Sequence, residues 1–498
     1  MREIPLISSG YRQIQPDLRP FSLALNLKNS DDMPLKECAV LGDFEGYLPL
    51  LKKYDTRGPR YTSYPTAPYF QSDFPPSSWQ EALDSLRGKR LSLYVHIPYC
   101  RNLCWYCGCN MEVNRKPEAM SSYLGHLKME MARTIANLKD PGPVKQLHFG
   151  GGSPNLLSPH QLTELMAFMR QNFKIDNDAE ISLEADPRLL TQDFVMALRD
   201  SGFNRVSMGI QDFNEKVQRA IHRIQPFDLV AEKAAMLHQA GFTGINMDVM
   251  YGLPHQNPGS FKETLDQVLQ IQPQRIALFN YAHLPQLKPH MKLIDAGDIP
   301  EPETKFQLFW LAKQAFQAAG YGFIGMDHFA MQNDPLAVAK KSGDLHRNFQ
   351  GYTTHAGLEM LGFGASAISF LNHCYVQNQS LSKVYQQCLQ EGRTTIARGM
   401  LLSSDDRFRG AIIQRLFCEN TIDVHAIEAA GGKAFNHLFP GATARLDAMA
   451  ADGLLTPACN GWEVTELGQI LLRNIAMVFD GYLGKCSVGP KPLYSKTL

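Results

Sequence analysis

Tyr94-Val-His-Ile-Pro-Tyr-Cys-Arg-Asn-Leu-Cys-Trp-Tyr-Cys-Gly-Cys-Asn110 begins as a β-rich run and passes directly into four cysteines. Cys100, Cys104 and Cys107 stand at C-x3-C-x2-C, with Cys109 two residues further on. Four-iron iron–sulfur clusters are held by cysteine thiolates, commonly one per iron. Three ligands at this spacing leave one iron open to chelate a small molecule and pass it an electron. Structural zinc sites show paired C-x2-C knuckles, and no second knuckle follows here. Ten cysteines in 498 residues are too few for a disulfide scaffold. The other six (Cys38, Cys374, Cys388, Cys418, Cys459, Cys486) have no regular spacing and read as ordinary thiols.

From this loop outward, short β-rich runs alternate with helical stretches. The runs are 91–97, 146–149, 180–184, 205–211, 244–250 and 275–282. Capping boxes read at Ser158-Pro-His-Gln161 and at Ser260-Phe-Lys-Glu263. Gly202 and Gly241 stand where helix ends favour a left-handed residue. Strands with a helix between each pair predict right-handed βαβ units, a parallel sheet and a partial (β/α) barrel. Gly150-Gly-Gly-Ser153, Glu184, Gln211, Asp248 and Ala282-His283 all fall at or near the carboxyl ends of the runs, the rim where α/β barrels bind ligands. One carboxylate there is more often a helix cap. Several together, after a cysteine loop, point to a site.

The chain is expected to divide into an extension over 1–50, an arm or lid over 51–90, a barrel over 91–400 and a smaller, mainly helical domain over 401–498. Asp31-Asp-Met-Pro34 reads as a break, and Met33 offers an alternative start. Helices are expected over 405–418, 424–430 and 442–452, followed by a hairpin turning at Asn460-Gly461, a winged-helix-like combination. Its face is not basic, so packing or a lid role is expected rather than DNA binding. Lys+Arg and Asp+Glu are 49 each, and this zero net charge gives nucleic acid no basic field. No apolar stretch reaches the roughly 20 residues of a membrane span. No signal peptide is read, and unpaired thiols then point to the cytoplasm.

Longer motifs appear in order: Gly58-Pro-Arg-Tyr-Thr-Ser-Tyr-Pro-Thr66, Tyr94-Val-His-Ile-Pro98, Gly150-Gly-Gly-Ser-Pro154, Ser207-Met-Gly-Ile-Gln-Asp-Phe213, Tyr251-Gly-Leu-Pro254, Asn280-Tyr-Ala-His-Leu-Pro285, Gly325-Met-Asp-His-Phe329 and His346-Arg-Asn-Phe-Gln-Gly-Tyr-Thr-Thr354. With the cysteine loop, they make residues 54–482 resemble the oxygen-independent coproporphyrinogen III oxidase family of radical S-adenosylmethionine (SAM) enzymes. The resemblance implies a [4Fe-4S] cluster on Cys100, Cys104 and Cys107, with SAM on the open iron. It implies a SAM pocket made of Tyr94, Tyr106, Gly151, Gly152, Ser153, Glu184, Gln211, Arg223, Asp248, Ala282 and Ile368. The family usually has threonine where Ser153 stands. Cys109 is expected to be functional without ligating.

The implied substrate is coproporphyrinogen III, and its propionates need cations. Arg57, Arg60 and Arg347 are the candidates, and Tyr61 and Tyr64 offer ring faces for pyrroles. A one-electron donor such as a flavodoxin or ferredoxin is implied, with the chain acting as a monomer. A haem-binding chaperone of the same superfamily is the alternative, as is a radical SAM enzyme with another substrate. Chaperone relatives tend to lack both the segment over 59–66 and a cysteine at position 109, and this chain has both.

Overall fold

Alternating apolar and polar residues in each β-rich run become the strands of one sheet. A computed structural model describes residues 44–483 and 494–497. Most of the extension expected over 1–50 therefore lies outside the described residues. The chain divides at Tyr47/Leu48, and the main sheet, its helices and the C-terminal part all lie in the second unit. A helix spans Phe44–Tyr54 and so runs across the boundary expected at residue 50.

Twelve strands make the main sheet: β1 (Leu91–Ile97), β2 (Val144–Gly151), β3 (Ile175–Ala185), β4 (Arg205–Gln211), β5 (Gly244–Tyr251), β6 (Arg275–Asn280), β7 (Tyr321–Gly325), β8 (His328–Met331), β9 (Glu359–Phe363), β10 (Ile368–Leu371), β11 (Cys374–Asn378) and β12 (Ile396–Leu401). Their order is β12-β11-β10-β9-β1-β2-β3-β4-β5-β6-β8-β7, with β9 and β1 to β6 parallel. Among the described residues no pair joins the two ends, so the barrel is partial, as expected. Helices between the strands pack on its outside through one continuous apolar core.

Two sequence expectations shift. β6 ends at Asn280, so Ala282 and His283 lie in the loop beyond it. The second capping box forms three residues earlier than read. Asn257 is the cap, Pro258 takes the first helical position and Ser260 is the reciprocal partner. Proline fits there because its missing N–H would be unpaired anyway. The Ser158–Gln161 box forms as read, and Gly202 and Gly241 take φ of 89° and 85°.

Inward-facing side chains stack in layers. At the amino end, Ser92 donates to Gln146, Gln146 to Glu180, and Arg205 joins Glu180 to Asp334, which Arg275 also holds. This polar network closes the lower end of the lumen and leaves the carboxyl end for the site.

The C-terminal part builds its own core. Helix α1 (Ser404–Glu419), helices over Val424–Gly431 and Ala442–Ala451 and a three-stranded antiparallel sheet form the expected winged-helix-like unit. That core also takes in Tyr54, Tyr61 and Tyr64. Among the described residues no helix is long and apolar enough to cross a membrane.

Candidate active site

The chain leaves β1 at Ile97 and turns into the cysteine loop, which two neighbours hold in place. Gly152 N donates to Ile97 O at 2.8 Å, and Ser153 N donates to Tyr99 O at 2.9 Å. Only glycine tolerates this approach. A Cβ on Gly152 would stand 2.7 Å from Tyr99 O, and one on Gly151 (φ 115°) would stand 2.6 Å from the His96 ring. Cys100 Sγ lies 3.5 Å from Ser153 Oγ, so the hydroxyl kept at this position has a partner.

Two arginines approach the middle thiol. Arg223 Nη1 is 3.5 Å and Arg188 Nη2 is 4.0 Å from Cys104 Sγ. Asp186 holds Arg188 at 2.6 Å. Cys109 is exposed, and its contact with Cys107 is the main cause holding the Cys107 thiol down at about 7. Burial pushes Cys100 up to about 12, with the charges of Cys107 and Cys104 adding to the rise, so the three thiols lie within electrostatic reach of one another. Among the described residues no three such side chains are close enough to share a single ion. Three thiols on one loop, with two guanidiniums beside the middle one, are a donor set that fits three corners of a polynuclear cluster.

Below the loop the strand-end set converges. Glu184 Oε2 accepts from Gly151 N at 3.0 Å, and Oε1 pairs with His148 Nε2 at 3.3 Å. Burial raises the Glu184 pKa, but His148 and the Gly151 N–H outweigh it and hold the carboxyl below its ordinary value. Asp248 accepts from Asn246 Nδ2 at 2.9 Å and Ser207 Oγ at 3.2 Å. Burial, then the charge of Glu184, push it up to about 7. Two carboxyls in one lumen thus take different protonation states near neutrality. Gln211 sits at a bulge in the β4–β5 register with φ 69°, and β-bulges often re-aim a side chain beside an active site.

Tyr94 stacks on His148 at 5.9 Å, and its hydroxyl meets His96 Nδ1 at 3.0 Å. Tyr106 feels the charges of Arg223 and of Cys104, Cys107 and Cys109, placing it at the loop. Ile368 backs Gly362, the β9 partner of Tyr94. Ala282 is half-buried in the loop after β6.

The three arginines named for propionates separate. Arg57 Nη1 donates to Tyr494 O and its backbone bridges to Lys496, so this residue belongs to the C-terminal segment. Arg60 Nη2 donates to Asn280 O at the carboxyl end of β6. Arg347 Nη1 donates to Tyr61 O. Tyr61 and Tyr64 are 4% and 7% exposed and pack in the C-terminal core, at the edge of a cavity of about 1270 Å3. The tyrosine motif is apolar in bulk and packs against the chain itself.

Sequence reading missed His96, His148, Arg188 and Asp186. The two histidines were legible as polar residues of the barrel strands, one and three positions before the strand ends. Arg188 follows a strand as an ordinary surface arginine would, and only the tertiary contact with Cys104 singles it out.

The Radical SAM superfamily model matches residues 94–268. The oxygen-independent coproporphyrinogen III oxidase of Salmonella typhimurium is 44% identical over 436 residues, 88% of this chain and 95% of that protein. That of Helicobacter pylori strain J99 is 38% identical over 461 residues, 92% of this chain and 99% of its own. The solved structure of coproporphyrinogen III oxidase from Escherichia coli, described as a radical SAM enzyme, superposes with a TM-score of 0.82 at 42% identity. It covers 85% of this chain and 98% of that one.

Proposed function

The chain belongs to the oxygen-independent coproporphyrinogen III oxidase family of the radical SAM superfamily, and from that premise we propose that it converts coproporphyrinogen III to protoporphyrinogen IX. Each of two propionates loses one hydrogen, one CO2 and one electron, and becomes a vinyl group. The electron passes to an acceptor. When bound, the cluster and SAM supply an electron and a 5'-deoxyadenosyl radical that takes the hydrogen.

The protein's residues hold and shield these groups. Cys100, Cys104 and Cys107 would ligate three irons, and Arg223 and Arg188 would offset the negative charge beside Cys104. Gly151 and Gly152 let backbone approach the methionine end of SAM, with Ser153 beside Cys100. Glu184 accepts from an ammonium group, its low pKa keeping it ionised. Asp248 or Gln211 would hold a ribose hydroxyl or a second SAM, Arg223 would pair a carboxylate, and Tyr94, Tyr106, Ala282 and Ile368 would wall the pocket. Cys109 acts in turnover without ligating. Arg60 and Arg347 meet propionates, whereas Arg57 serves the C-terminal contact. The barrel and the C-terminal unit work as a cytoplasmic monomer, fed by a one-electron carrier such as a flavodoxin or ferredoxin.

The observation that carries this reading is 44% identity spanning 95% of a relative. An anaerobic assay tests it: reconstituted protein, SAM, a reductant and coproporphyrinogen III, with products identified by mass. Loss of two CO2 and four hydrogens is expected between the neutral tetrapyrroles, two hydrogens as the abstracted atoms and two as the carboxyl protons. SAM consumption with an unchanged tetrapyrrole overturns the assignment of substrate.

A further inference from the structure

Gly325-Met-Asp-His-Phe329 places an aspartate–histidine pair on the lumen wall. Asp327 lies in the turn between β7 and β8, and His328 opens β8. His328 Nδ1 and Asp327 Oδ1 are 2.7 Å apart. Burial pushes the Asp327 carboxyl up, but the charge and hydrogen bond of His328, then the charges of Arg347 and Arg60, outweigh it and hold the group below its ordinary value. An ionised Asp327 accepts from Nδ1–H, so Nε2 is the free end of the ring.

Strand register sets the height of the pair. His328 lies opposite Ala277 in β6, and Ala277 lies beside Asp248 in β5. Ala277 alternates with Arg275, which points inward to Asp334 in the polar layer that closes the amino end. Ala277 and His328 therefore share the inward face, one pleat nearer the carboxyl end than that floor. Phe279, the next inward residue of β6, meets the His328 ring edge-on at 6.1 Å. The Glu184 charge reaches Cys109 on one side and Asp248 on the other, and the His328 charge also reaches Asp248. The cysteine loop, the rim carboxyls and His328 thus face one space, above the floor.

Nothing in the protein covers Nε2. It has no hydrogen-bond partner among the described residues, and the side chain keeps 21% of its surface open. Gly351 passes the ring with φ 118° and no side chain, and a Cβ there would stand 3.5 Å from Nε2. Neighbouring strands lie about 4.8 Å apart, so the backbones at Asp248 and His328 stand about 10 Å apart with only the Ala277 methyl group between them. Asp248, raised to about 7 by burial and by Glu184, can hold a proton and so need not repel a second carboxylate.

We propose that His328 is a further substrate-binding residue: its imidazolium, backed by Asp327, donates from Nε2 to a propionate carboxylate seated over Ala277. The inference rests on the proposed decarboxylation and names a group that receives the substrate inside the lumen. Asp327 is the positioning residue, which fixes the ring and balances its charge. Arg60, held on Asn280 O at the end of β6, adds a second cation beside Asp327, so the cluster stays positive towards an incoming carboxylate.

The test uses the reconstituted holoenzyme with SAM and no reductant, kept anaerobic. Equilibrium dialysis measures its affinity for coproporphyrinogen III and for the tetramethyl ester, which has the same macrocycle without the charges. His328→Gln keeps a neutral polar side chain and removes the imidazolium. Affinity for the acid should fall about tenfold or more and affinity for the ester less than about twofold, with wild-type iron content and SAM affinity. Asp327→Asn keeps an acceptor for Nδ1 and removes the charge behind it. It should weaken the acid by about threefold to tenfold and spare the ester, so the comparison stands even if His328→Gln loses its cluster. Equal losses for acid and ester mark a structural role, and unchanged affinity for the acid in both variants removes His328 from the substrate. Either result overturns the seat and leaves the reaction standing. Once reductant is added, a wild-type protein that binds the acid through His328 but yields no decarboxylated product overturns the reaction and leaves the seat standing.

Discussion

Cys100 and Tyr61 both belong to short motifs of specific residue order, yet their side chains meet different company. Around Cys100 the groups are polar and aimed at one another: Ser153, the neighbouring thiols and the arginines at Cys104. Around Tyr61 they are the protein's own interior. Its ring lies 6.0 Å from Phe417, and its hydroxyl is 2.9 Å from Asp480. Arg473, itself buried, donates to Gly58 O and Pro59 O of the same segment. A distinctive motif therefore shows that residues are constrained, without showing whether a ligand or the chain constrains them. Partner identity separates the two cases.

The sharpest break between the regions is expected from single cysteines. Cys104→Ala should abolish iron–sulfur absorption and all SAM cleavage, since it removes one of the three proposed ligands. Cys109→Ser should keep most of the iron and lose most product. Iron analysis alongside turnover checks both, and an iron loss in Cys109→Ser equal to that in Cys104→Ala makes Cys109 a ligand.

The lumen carboxyls should respond next, with opposite signs in stability. Each makes charge-assisted contacts of the kind worth about 1.5–3 kcal/mol, or roughly ten- to over a hundredfold in affinity. Glu184→Gln and Asp248→Asn should each weaken SAM binding within that range while the iron signal persists. Their effects on the SAM-free protein differ. Glu184 is held below its ordinary pKa, so it stabilises the fold above about pH 4, and its loss should lower the melting temperature at neutral pH. Asp248 is raised to about 7, so the unfolded chain ionises first. Stability falls as pH climbs from about 4 through 7, and Asp248→Asn should remove that fall. Melting temperatures at pH 5.5 and 8 decide it: a wild-type-like pH slope in Asp248→Asn contradicts the buried carboxyl.

How much of this was legible depended on whether the signal was local. Strand β1 and the cap at Ser158 follow from hydrophobic alternation and from side chains that reach only three residues, and both stand as read. The rim set was legible because strands end where their polar residues begin. Ala282 missed its strand because β6 stops at Asn280, whose carbonyl accepts from Arg60, a partner 220 residues away. Arg188, Asp186 and the pairing of the arm with the C-terminal core depend on tertiary contacts that no window of sequence contains.

Arg473 tests whether the arm is a clamp or a lid. It donates to Gly58 O, Pro59 O and Lys496 O, and removing it leaves carbonyls buried at a cost of about 1–3 kcal/mol each. Arg473→Met should lower stability in denaturant and expose residues 50–70 to protease, with iron content retained. Unchanged protection would mean the arm is held elsewhere.

The mildest change probes the same segment through one atom. Tyr64 keeps its ring in the C-terminal core and uses its hydroxyl to accept from Gly481 N at 2.8 Å. Tyr64→Phe keeps the ring and removes the acceptor, leaving a backbone donor unpaired. A cost of about 1 kcal/mol in stability is expected, since one neutral hydrogen bond is lost and no cavity is made. KM for the tetrapyrrole should not move, because the ring stays in place and the lost hydroxyl faces Gly481 N. If stability holds and KM rises tenfold instead, the hydroxyl serves the ligand. The arm would then join the cysteine loop as a part of the molecule whose motif answers to substrate.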